Sequence, residues 1–163
     1  MLTIGIVPKI FLEIPKLKIA VASDHAAFEF RDELITYLKE QGHEITDFGC
    51  PNTDSCDYPD FGILAAKEVS EQRADRAILC CNNGIGMSML ANKFDGIAAA
   101  LVYSNITAQM TREHHDSNVL CLGAQHFTKE ELLSFVKIWL NTEFSGGRHL
   151  RRIGKVHDIK NNQ

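Results

Sequence analysis

From Leu17 onward the chain alternates short apolar, β-branched runs with longer stretches whose apolar residues recur at helical spacing. LKIAVA (17–22), EITDF (44–48), RAILC (76–80), IAAALV (97–102) and NVLCLG (118–123) read as five strands. Helices are expected between them at about 26–41, 59–72, 86–94, 104–114 and 128–141, with a sixth in the tail after Gly146-Gly147. Strands and helices alternating through short linkers specify a parallel sheet covered on both faces, so the fold class is α/β. Nothing repeats and no low-complexity linker intervenes, so residues 17–163 are expected to form a single domain. Residues 1–16 are apolar but broken by Pro8, Lys9, Glu13 and Pro15, and no small-residue cleavage site follows. They are expected to be a loosely ordered N-terminal extension.

In open α/β sheets ligands bind outside the carboxyl ends of the strands, and four groups of residues invite attention. Asp24-His25 follows the first strand; Asp24 suits an N-cap as well as it suits chemistry, whereas an imidazole in a first helical turn gains little from the helix dipole. After the third strand, Cys81-Asn82-Asn83-Gly84-Ile85-Gly86 is a turn rich in residues that tolerate left-handed backbone, able to aim N–H groups at an anion. The same positive field favours an anionic sulfur at Cys81, the thiol expected to react first, while Cys80 belongs to the core. The Walker A lysine and the GxGxxG spacing are both missing, which argues against a nucleotide.

Further on, His114 and His115 diverge by about 100° if helical, so they cannot share a metal ion, but one of them suits acid–base work. Arg148 and Arg152 stand four apart in GGRHLRR, on one face of a helical tail, where two guanidinium groups can fork a phosphate.

Composition narrows the classes. A net charge of −4 gives no attraction for nucleic acid or an anionic membrane, and no run approaches the length of a membrane span. Five cysteines, odd in number and without CxxC spacing, suit a reducing cytoplasm; no metal and no cofactor is expected.

Asp24-His25, Asp57-Tyr58-Pro59, the Cys81 turn through Ala91-Asn92-Lys93, the Arg112 to Asn118 stretch and GGRHLRR together resemble type B ribose-5-phosphate isomerase, over about residues 17–155. The resemblance implies a three-layer α/β/α sandwich with a five-stranded, Rossmann-like parallel sheet in the order 2-1-3-5-4. It implies a homodimer, able to pair into a tetramer, whose active sites draw on both subunits. It further implies interconversion of ribose 5-phosphate and ribulose 5-phosphate through an enediol, in the non-oxidative pentose phosphate pathway. Cys81 matches the base, His114 and Asp24 the groups that open the sugar ring, and Tyr58 an aromatic residue at the mouth. His25, Arg148 and Arg152 match phosphate contacts; Asn82, Asn83, Gly84 and Gly86 form the nest, and His115 adjoins the substrate. Asn82-Asn83 stands where the family has Gly followed by Thr or Ser, His115 where it has Asn, and Gln125 where it has a phosphate-binding Arg. Two alternatives stand beside this reading: an isomerase of allose 6-phosphate or galactose 6-phosphate, and a phosphosugar-binding protein with little catalysis.

Overall fold

The computed structural model describes residues 15–161, so the extension expected over 1–16 lies outside the described residues except for Pro15 and Lys16. In chain order the elements are β1 (Lys18–Ser23), a single 3-10 turn (His25–Ala27), α1 (Phe28–Glu40), β2 (Glu44–Asp47), α2 (Tyr58–Ser70), β3 (Arg76–Cys81) and α3 (Ile85–Ala91). There follow β4 (Ala99–Leu101), α4 (Asn105–His115), β5 (Val119–Gly123), α5 (Lys129–Asn141) and α6 (Arg148–Asn161). The five strands form one parallel sheet in the order β2-β1-β3-β5-β4, as the resemblance implied.

Alternation along the central strands separates two apolar layers. Ile19, Val21, Ile78, Cys80, Leu120 and Leu122 point to α1, α4 and α5, where Trp139 is fully buried. Ala20, Ala22, Ala77, Leu79, Cys81, Val119 and Cys121 point the other way, to α2 and α3. The result is the expected α/β/α sandwich, and adjacent Cys80 and Cys81 lie in opposite layers. Among the described residues no helix is long and apolar enough to cross a membrane.

Local chemistry sets the helix starts. Thr128 with Glu131 and Ser104 with Thr107 form capping boxes, and Pro59 occupies the first turn of α2. The segment expected as one helix from residue 26 opens instead with a 3-10 turn, because the Asp24 carboxylate accepts the Ala26 N–H at 3.0 Å. The helix expected to reach residue 94 stops at Ala91, where the Asn92 amide accepts the Ala99 N–H and donates to the Ala99 carbonyl, both at 2.9 Å, tying α3 to the edge strand. β4 spans three residues rather than the run 97–102, paired with β5 alone.

Candidate active site

The chain leaves β1 toward β2 on one side and β3 toward β4 and β5 on the other, so a crevice opens between the carboxyl ends of β1 and β3. Ser23 pairs in register with Cys80, and the Asp24 N–H donates to the Cys80 carbonyl at 3.3 Å, which sets Asp24 beside Cys81. Asp24 is only 6% exposed; burial raises its carboxyl above the ordinary value, opposed chiefly by the Ala26 N–H. Its capping role and its place in the crevice therefore coexist.

Cys81 ends β3 instead of starting the turn, and its sulfur accepts the Gly84 N–H at 3.2 Å. Gly84 has φ 76°, the left-handed region, and a Cβ there would lie 2.9 Å from the Leu122 carbonyl carbon, so backbone angle and space both call for glycine. The Asn83 Oδ1 accepts the Ile85 N–H at 3.0 Å, which leaves the Asn83 amide nitrogen as the group it can offer a ligand. Of the N–H groups expected in the nest, those of Gly84 and Ile85 are thus already engaged within the protein. Asn82, Asn83 and Gly86 have theirs to give. The Tyr58 ring lies on Gly86, so closely that a Cβ there would come within 2.6 Å of Cζ, and it roofs the start of α3.

His25 turns its Nδ1 to the Cys56 N–H, 3.2 Å away, which puts the imidazole proton on Nε2. This contact joins residues 31 positions apart, and no local signal in the sequence announces it. Gln125, in the turn two residues past β5, donates through Nε2 to the Ala26 carbonyl at 2.7 Å and lines a cavity of about 250 Å³ with His25, Thr53 and Lys129. Thiol exposure differs from expectation. Cys81 is 4% exposed and Cys80 and Cys121 are fully buried, so Cys56 is the accessible sulfur.

Asp24, His25, Tyr58, Cys81, Asn82, Asn83, Gly84 and Gly86 therefore converge. His114, His115, Arg148 and Arg152 do not join them. α4 runs back from the carboxyl edge of the sheet, so its last turn sits at the amino edge, the length of β3 away from Cys81, roughly 20 Å at 3.3 Å per residue. There His114 stacks on His149 with centroids 4.2 Å apart and planes 3° from parallel, a partner the sequence reading passed over. The His149 imidazole is held below its ordinary value, first by desolvation and then by His114, Arg148 and Arg152. The His114 and His115 rings stand 6.2 Å apart at 72°. A cavity of about 710 Å³ between α4, α6 and the start of β4 is lined by His114, His115, His149 and Arg152. Arg112 is structural: it donates to the Asp116 carboxylate at 2.7 Å and the Ser117 carbonyl at 2.6 Å. Among the described residues no group of three or more His, Cys, Asp or Glu could hold a metal ion.

Comparison with known proteins adds a family. Residues 19–156 match the ribose/galactose isomerase family. The putative sugar phosphate isomerase YwlF of Bacillus subtilis is 43% identical over 145 residues, 88% of this chain and 97% of that protein. The structure of Clostridium thermocellum ribose-5-phosphate isomerase B superposes with a TM-score of 0.87 at 41% identity, covering 89% of this chain and 98% of that one. Ribose-5-phosphate isomerase B of Mycoplasma genitalium, solved with bound ribulose 5-phosphate, gives 0.86 at 38% identity, covering 90% and 97%.

Proposed function

The chain belongs to the ribose/galactose isomerase family, and on that premise we propose that it interconverts ribose 5-phosphate and ribulose 5-phosphate at the crevice between β1 and β3. The observation that carries this reading is the Cys81 sulfur at the crevice floor, accepting the Gly84 N–H beside the buried Asp24. Isomerisation of an aldose needs one base to take the proton from C2 and return it to C1 while the electrons of the C2–H bond pass into an enediolate. The Cys81 thiolate is that base. The Asn83 amide nitrogen and the N–H groups of Asn82 and Gly86 hold the oxyanion, a donor set that stabilises charge without carrying protons. Asn83 therefore orients and polarises, and proton traffic between the sugar oxygens falls to Asp24, whose raised carboxyl suits it.

Ring opening needs a second group at the sugar, and phosphate needs cations. Within one chain His114, Arg148 and Arg152 are at the far edge of the sheet, so the site is completed by His114 of the partner subunit and by that subunit's α6 arginines, in a homodimer. His25 offers its Nε2–H to the phosphate; Gln125, bound to the Ala26 carbonyl, offers no charge. The free cysteines suit a cytoplasmic enzyme.

A coupled assay of the purified chain with ribose 5-phosphate, allose 6-phosphate and galactose 6-phosphate, with and without chelator, tests this reading. Turnover fastest with ribose 5-phosphate and indifferent to chelator is expected. Faster turnover of a six-carbon sugar would transfer the activity to that substrate, and binding without turnover would leave a phosphosugar-binding protein.

A further inference from the structure

Beyond His25 the wall of the site holds a charge that the isomerase chemistry leaves unused. Gln125 Nε2 donates to the Ala26 carbonyl at 2.7 Å, joining residues 99 positions apart, and so holds the turn after β5 against the 3-10 turn that carries His25. These two turns and the start of α5 enclose the cavity of about 250 Å³. A single water takes up about 30 Å³ of liquid volume, so the space suits a group of the size of a phosphate. Among the described residues that line it, Lys129 is the one Lys or Arg and Glu29 the one carboxylate. We propose that Lys129 is a phosphate-binding residue, the cation that the chain carrying His25 contributes to the 5-phosphate of the substrate. The inference rests on the isomerase reading, which puts the sugar at Asp24 and Cys81 and the phosphate at His25.

His25 is where crevice and cavity meet. It follows Asp24 in the chain and lines the cavity, and because its Nδ1 accepts the Cys56 N–H, Nε2–H is the donor it has to offer. The phosphate sits at the far end of the sugar from C1 and C2, so a substrate with its reacting carbons at Cys81 carries its phosphate past Asp24 to that donor. Thr53 brings a hydroxyl to the same wall, and Gln125 commits its amide to Ala26. None of these groups brings a full charge, and the Glu29 carboxylate opposes a dianion. The Lys129 ammonium supplies the attraction that the cavity otherwise lacks.

Lys129 is paired with Glu33 on α1, and the two side chains are 46% and 44% exposed. An ion pair so open to water holds its members weakly. The ammonium has three donors at the end of a flexible stem, so it can turn to a phosphate at little cost. Its hydrogen bond to Glu33 holds Lys129 above the ordinary lysine value, so the group is charged throughout the neutral range. Glu33 is therefore a competitor for the ammonium, and this separates a phosphate contact from a mere surface ion pair.

KM for ribose 5-phosphate and the inhibition constant of inorganic phosphate are measured at low ionic strength for the full natural chain, Lys129→Gln, Lys129→Arg and Glu33→Gln, with melting temperatures alongside. Lys129→Gln should raise both constants about fivefold with kcat little changed, as for an exposed charged contact made in ground and transition states alike. Lys129→Arg should restore them. Glu33→Gln frees the ammonium and should lower both. Potassium chloride should shrink the gap between the natural chain and Lys129→Gln, because the contact is open to solvent. If Lys129 served only its pair with Glu33, Lys129→Gln and Glu33→Gln would break that pair alike, so shifts of the same sign and size in the two would overturn the proposal. Unchanged constants in Lys129→Gln, in a protein that turns over ribose 5-phosphate, would overturn it and leave the isomerase reading standing. A natural chain that neither turns over ribose 5-phosphate nor binds it in a calorimeter would overturn that reading, and the role of Lys129 with it.

Discussion

Cys80 and Cys81 are neighbours in sequence with opposite surroundings, and the difference can be tested one atom at a time. Cys80 is wholly buried in the layer under α1, α4 and α5, its thiol pushed far up by desolvation. Cys81 faces α3 with a backbone N–H aimed at its sulfur. Cys81→Ser keeps nearly the same volume but holds its proton too tightly to act as a base, so kcat should fall by about 10²-fold or more with KM little changed. Cys80→Ser should leave kcat alone and lower the melting temperature, because a hydroxyl there finds no obvious partner. Steady-state kinetics and thermal melts of the two variants decide it, and a Cys81→Ser chain with most of its activity would remove the mechanism. Gly86 gives a second, steric test. An alanine Cβ would sit 2.6 Å from the Tyr58 ring, and the half-exposed ring is the partner with freedom to move. Gly86→Ala should therefore open the roof, raising KM more than it lowers kcat, while Gly86→Ala with Tyr58→Ala should relieve the clash without restoring KM.

The elements were largely legible in the sequence because the central strands are buried on both faces and appear as unbroken apolar runs. What was not legible depends on contacts across the fold. The early end of α3 is set by Asn92 reaching Ala99, the short β4 by its single neighbour, and the tautomer of His25 by the distant Cys56. Of the candidate site, the Asp24 and Cys81 ends could be read from strand–turn–helix patterning, but the remoteness of His114 follows only from the direction of α4. At this scale two predictions arise. Arg148 and Arg152 both lie on the helical tail, exposed. Arg148→Ala or Arg152→Ala should raise KM on the order of tenfold each with smaller change in kcat, as for a contact made in ground and transition states alike. Unchanged KM in both would make the tail a solvated surface. At the β1–β2 end, His43 is 5% exposed; its Nδ1 accepts the Leu17 N–H at 3.3 Å and its Nε2 is buried without a partner. Desolvation, helped by Arg76, lowers the His43 value below the ordinary 6.5. The unfolded chain therefore takes up the proton first on acidification. Its contribution to stability is complete above about pH 6.5 and is lost as pH falls toward the folded value. Melting temperature should fall between about pH 7.5 and 5.5, and His43→Asn should flatten that slope; parallel slopes would clear His43.

At the scale of the whole molecule, the proposed reaction needs groups that one chain holds at opposite edges of its sheet, Cys81 at one and His114 at the other. Exposed apolar side chains gather on the helices flanking the edge strand β4, with Ile85 and Met89 on α3 and Ile106 and Met110 on α4; Met89 is 64% and Ile106 68% exposed. α3 packs beside β4, α4 follows β4 in the chain, and α4 carries His114 at its far end. In the proposed homodimer a second copy seated there would cover apolar surface that otherwise stays wet, and a two-fold arrangement would give each crevice His114 of the partner subunit. Complementation tests this without a structure of the dimer. Cys81→Ser and His114→Ala should each be nearly inactive alone. Unfolded together in equal amounts and refolded, they give half of the dimers as mixed pairs. In each mixed pair one site carries both lesions, while the other combines an intact Cys81 with an intact His114. About a quarter of the natural activity should therefore return, because half of the dimers regain one site of two. If Cys81 and His114 had to come from the same chain, every site in the mixture would carry a lesion. The refolded sample would then be no more active than its parents, and the shared site would have to be abandoned.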